Sequence, residues 1–130
     1  MNIYKFLLNY IILVSFESIW FFYLAKDFYE KNIGFLLKEK LNLLPIIIFY
    51  FIYIFAYQHF VLRNFSKIKN FLKESFLFSL TVYSASSLIN YACIYRWKLD
   101  LALVDLSWGI FVTTFSGYLT MKFYKKFFVK

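Results

Sequence analysis

Four apolar runs, each about as long as a bilayer is thick, are divided by short charged connections, and this constrains the chain more than any other feature. A helix rises ~1.5 Å per residue, so about 20 residues cross a ~30 Å hydrocarbon core. Residues 6–25, 43–62, 76–94 and 101–121 meet that length and predict four membrane-spanning helices. Strict apolar–polar alternation is absent, which argues against a membrane β-barrel. Backbone groups in lipid must pair internally, so helices remain. The predicted fold is all-α: one four-helix transmembrane domain over residues 1–130.

Composition narrows the function classes. Hydrophobic residues make up 62% of the chain and the mean hydropathy is +0.63, where soluble domains run nearer half apolar. One cysteine, Cys93, leaves no internal disulfide or multi-cysteine metal site, and one histidine, His59, leaves no His-rich site. Neither a metal nor a cofactor is expected. The net charge of +8 lies almost wholly in the connections between apolar runs, a membrane-loop pattern, so nucleic acid is not an expected partner. The first run is too long for the core of a signal peptide, and no small-x-small site precedes Lys26, so it is predicted to be a permanent helix.

Basic residues set the expected orientation. Lys5, Arg63, Lys67, Lys69, Lys73, Lys122, Lys125, Lys126 and Lys130 fall on one side, and Lys26, Lys31, Lys38, Lys40, Arg96 and Lys98 on the other. Nine against six predicts both termini in the cytoplasm, because loops rich in Lys and Arg stay inside. Two connections have helical spacing of their own. Residues 27–41 place Tyr29, Ile33 and Leu36 in register, with Gly34 as the weak point. Residues 63–73 place Phe65, Ile68 and Leu72 on one face, and are read as an ordinary basic loop in preference to an interfacial helix.

Polar groups inside the runs are the functional candidates. An acidic residue near a helix centre costs about 3 kcal/mol on insertion, which about ten large apolar neighbours offset. Glu17 must therefore face the bundle interior, protonated or paired. Asp105 lies about one turn inside the fourth run, and Trp108 and Gly109 follow at i+3 and i+4 on the same face. Thr113, Ser116 and Thr120 continue that face. The third run carries a polar stripe of Ser79, Tyr83, Ser86, Ser87 and Asn90, and the second aligns Tyr50, Tyr53 and Tyr57. The expected orientation puts Glu17, Trp20, Asn90, Asp105 and Trp108 in the outer half of the bilayer. A bundle would gather them into one polar pocket, rimmed by Lys26, Asp27, Tyr29 and Trp97.

The chain contains no G-x-S-x-G, no H-E-x-x-H and no Gly-rich phosphate loop. Three classes of function stay open: binding or translocation of a small solute, action on a membrane lipid or isoprenoid, and structural assembly without a ligand. Membrane lipids are expected partners, and a homo-oligomer is compatible with the pattern.

The stretches ESIW (residues 17–20), AKDFYEKNIG (25–34), FYFIY (49–53), Asn90 with Trp97, and VDLSWG (104–109) carry a resemblance. On them the chain resembles a family of small bacterial predicted membrane proteins, domain of unknown function 2177. The family often has aspartate at Glu17, which keeps the charge, and aspartate at Ser87, which here loses a carboxylate. The resemblance implies four membrane helices and a multi-pass place in the bacterial plasma membrane, and brings no activity with it.

Overall fold

The computed structural model describes residues 2–129. Lys130, one of the cations used for orientation, lies outside them. Five α-helices follow in order: α1 (Ile3–Ile19), α2 (Lys26–Ile33), α3 (Leu43–Phe60), α4 (Ile68–Cys93) and α5 (Leu99–Phe128). A π-helical turn, Trp20–Leu24, prolongs α1, so four helices are long and apolar enough to cross a membrane. No strand occurs among the described residues.

Several helix boundaries have a local cause. Asn2 caps α1, accepting from the backbone N–H groups of Tyr4 and Lys5 at 3.1 Å. Pro45 sits in the first turn of α3, where its missing N–H costs nothing. Helix α2 gives way at Gly34 to a single 3-10 turn, Gly34–Leu36. Arg96, with φ 63°, turns the short α4–α5 connection.

Two helices outrun their apolar stretches. Helix α4 begins at Ile68, not near residue 76, and absorbs Lys69, Lys73 and Glu74. The 63–73 connection is therefore not an ordinary loop: a 3-10 turn, Leu62–Asn64, and a brief link lead straight into α4. Helix α5 likewise continues to Phe128 past Lys122, Lys125 and Lys126. Hydropathy marks where lipid ends, whereas helix length also follows backbone propensity, and Lys, Leu and Glu are good helix formers.

Helix α5 is the central element, packing along α4 and α1, while α1 also lies against α3. Helix α3 reaches α4 and α5 chiefly through tyrosines. The Tyr53 hydroxyl pairs with the Thr113 hydroxyl at 2.5 Å, and the Tyr57 hydroxyl with Ser75 at 2.8 Å and the Thr113 carbonyl at 3.2 Å. The two rings are stacked with centroids 6.4 Å apart. Small residues on α5 let both neighbours come close: a Cβ at Gly117 would meet the Tyr57 hydroxyl of α3, and one at Gly109 would run into the Tyr83 ring of α4.

The outer surface is apolar. The accessible surface is 8953 Å², against about 7,300 Å² for a soluble globule of this mass, and Ile11, Phe51, Ile52 and Phe111 are all more than half exposed. Such a surface is stable only in a hydrocarbon solvent. The bundle has two distinct ends. The terminal end holds the start of α1, the α3–α4 connection and the end of α5, where the Asn2 side chain donates to the Tyr124 hydroxyl at 2.7 Å. The distal end holds α2 and the α4–α5 connection.

Candidate functional site

At the distal end, α1 leaves the bundle through the π turn and reverses at buried Ala25 into α2. This short helix is amphipathic: Tyr29 and Ile33, one turn apart, are buried, while Lys26, Asp27, Glu30 and Lys31 face outward. Its inner face packs with Ala25 and Leu101 against Trp20, Phe28 and Trp97. Helix α2 thereby covers a cavity of about 210 Å³ whose walls include Glu17, Trp20, Tyr29, Trp97, Asp105 and Trp108.

Glu17 is buried, 7% exposed, and each of its carboxyl oxygens accepts one hydrogen bond. The Tyr83 hydroxyl donates to Oε1 at 3.0 Å and the Trp108 indole N–H to Oε2 at 3.2 Å. Trp20 stacks on Trp108 with centroids 4.2 Å apart and planes 7° from parallel. Its own indole N–H donates to the Tyr29 hydroxyl at 3.3 Å, and that hydroxyl donates to Asp105 Oδ1. Burial, and then the hydrogen bond to Asp105, push Tyr29 ionisation well above the usual phenol range, so it acts as a neutral donor. Helices α1, α2, α4 and α5 are thus tied into one network around the cavity.

Of the residues singled out from sequence, Glu17, Trp20, Asp105 and Trp108 lie together, with Tyr29 and Trp97 beside them. Asn90 does not line this cavity: it is half-buried one helical turn beyond Ser87, nearer the end of α4. Lys26 and Asp27 are exposed on the outer face of α2, where Lys26 approaches Glu30 at 3.9 Å, and neither reaches the cavity. His59 lies at the opposite end of the bundle and Cys93 is exposed.

Sequence reasoning left out of its site residues Tyr83, the second donor to Glu17, and Tyr50, which lines the same cavity. The polar stripe of α4 was the signal for Tyr83, since Ser79, Tyr83 and Ser87 recur at every fourth residue. Ser87, buried at 2% exposure, also lines the cavity. The indole nitrogen of Trp97 is buried without a hydrogen-bond partner. Among the described residues no group of three or more His, Cys, Asp or Glu is placed to hold a metal ion.

Residues 2–122 match the model of a family described as predicted membrane protein, domain of unknown function 2177. No curated protein and no solved structure matches the chain.

Proposed function

Because the chain belongs to the domain of unknown function 2177 family of predicted membrane proteins, we propose its function from the distal cavity: it binds, and in a transport cycle translocates, a small polar solute. One observation carries this reading. Two carboxyl groups meet at a single cavity roofed by α2, and Trp97, whose buried indole N–H has no partner, lines the same cavity. A buried donor left unpaired costs about 1–3 kcal/mol, and a solute with an acceptor oxygen relieves it. The carboxyl groups select a donor, and a cationic amine is the best match because it supplies both donor hydrogens and a compensating charge. At about 210 Å³ the space suits a solute smaller than the drug-sized ligands of typical pockets.

Tryptophan fluorescence of the detergent-solubilised protein tests this, with ethanolamine and methylammonium as probes and acetate as the control. Saturable binding of an amine, lost in Glu17→Gln and Asp105→Asn variants that remain folded, is the expected result. A second reading, a structural lock, is favoured by one feature: Tyr83, Trp108 and Tyr29 already satisfy oxygens of both acids. In that case the isosteric variants hold their thermal stability or gain some, as desolvation is relieved, and fully complement a deletion strain. A changed lipid profile in that strain would instead point to lipid or isoprenoid chemistry.

A further inference from the structure

The terminal end holds a separate cavity of about 580 Å³ between the start of α1 and the end of α3, and its polar walls have the opposite character. Lys5, Gln58, His59 and Arg63 line it, with Phe55 and Leu62 as apolar walls, and no acidic residue takes part. Among the described residues Lys26–Glu30 is the one ion pair, so neither Lys5 nor Arg63 is neutralised by a carboxylate. Lys5 is held in place by stacking its ammonium 4.7 Å over the Tyr124 ring.

Gln58 adds a second, independent observation. Its side chain is 6% exposed, and Nε2 donates to the Asn2 carbonyl at 3.0 Å. That contact fixes the amide, because turning it over would set two carbonyl oxygens against each other. Oε1 is then buried with no hydrogen-bond partner. An unpaired acceptor calls for a donor, and two unpaired cations call for an anion. Phe55, 47% exposed, and Ile52, 61% exposed, continue the wall as an apolar strip along α3. A ligand here has an anionic group, a hydroxyl and an apolar tail.

We propose that this cavity is a binding site for an anionic phospholipid with a hydroxylated headgroup, a phosphatidylglycerol-type lipid. The phosphodiester lies between Lys5 and Arg63, a headgroup hydroxyl donates to Gln58 Oε1, and the acyl chains run along the Phe55 side of α3. Basic pockets between membrane helices take anionic headgroups in this way.

The test uses the full chain in phosphatidylcholine nanodiscs titrated with phosphatidylglycerol, with bound lipid counted by native mass spectrometry. Binding of phosphatidylglycerol over phosphatidylcholine is expected. Each cation is worth about fivefold in affinity, so the Lys5→Gln/Arg63→Gln double variant should bind about 25-fold more weakly. Gln58→Leu should erase the preference for phosphatidylglycerol over phosphatidic acid, whose headgroup has no glycerol hydroxyl. If the double variant does not fold, a salt titration of the wild type decides, since binding must weaken as ionic strength rises. Equal retention of phosphatidylcholine, indifference to salt, or full displacement of the lipid by inorganic phosphate at equal concentration would overturn the proposal. The last result would assign the cavity to a free anion.

Discussion

Trp108 holds Glu17 with its edge while Trp20 covers its face. The indole N–H donates to Glu17 Oε2 at 3.2 Å, and the ring stacks on Trp20 at 4.2 Å. One side chain thus both satisfies the buried acid and anchors the end of α1, just before the π turn hands the chain to α2. Trp108→Phe separates the two roles, because the stack survives and the donor is lost. An acceptor left unpaired inside the bundle costs about 1–3 kcal/mol, so a clear fall in thermal stability is expected. Combined with Glu17→Gln, the loss should be less than additive, with a coupling of about 0.5–3 kcal/mol. Strict additivity in a double-mutant cycle would show that the bond contributes nothing.

The three glycines should respond differently to alanine. At Gly109 a Cβ collides with the Tyr83 ring, and at Gly117 with the Tyr57 hydroxyl. Each substitution should destabilise by about 1–3 kcal/mol through forced repacking. Gly109→Ala should also disturb the Tyr83 hydrogen bond to Glu17. Gly34 has nothing within 4 Å of the added carbon, so Gly34→Ala should stay within about 0.5 kcal/mol. Melting temperatures of the three variants in one detergent check the order, and a Gly34→Ala loss equal to that of Gly109→Ala would contradict the helix packing.

Arg96 offers a stabilising change. Its φ of 63° is the left-handed conformation, which costs a residue with a Cβ about 1–2 kcal/mol. Arg96 is exposed, and its one aromatic contact is the Tyr95 ring, 5.4 Å away. Arg96→Gly should raise stability by up to about 1 kcal/mol, part of the relief being offset by the greater freedom of glycine in the unfolded chain. A lower melting temperature would mean that the guanidinium has a larger role than its contacts indicate.

Topology is open to direct labelling. The excess of Lys and Arg at the terminal end predicts that this end faces the cytoplasm. Single cysteines at Lys31 and Lys126, in a Cys93→Ser background, are exposed to a membrane-impermeant thiol reagent on intact cells. Labelling at position 31 alone is the expected outcome. Labelling at 126 alone would invert the protein and turn the acidic cavity toward the cytoplasm.

The four long helices and the pairing of Asp105 with Trp108 on one helical face were legible in the sequence, whereas several of the charges placed in connections fall within the ends of α4 and α5. The legible features depend on properties that repeat along the chain: bilayer thickness sets run length, and the 3.6-residue turn sets which side chains share a face. The inward direction of Glu17 was legible for a related reason, since lipid gives a carboxyl group no partner. That Trp108 would share its pocket was legible too, but the Tyr83 donor was not. Tyr83 and Trp108 come from helices more than 60 residues away in sequence, and their approach depends on Gly109 leaving room for the Tyr83 ring. Asn90 shares the α4 stripe yet misses the cavity by one turn, because the height at which α2 folds over is set by Tyr29 and Ile33 packing beside Trp20 and Trp97. The gathering of Lys5, Arg63 and Gln58 into one cavity was equally hidden, since the end of α3 had first to pack beside the start of α1. Periodicity assigns each residue to a side of its own helix, and only the tertiary packing of helices, in rotation and height, decides which residues touch.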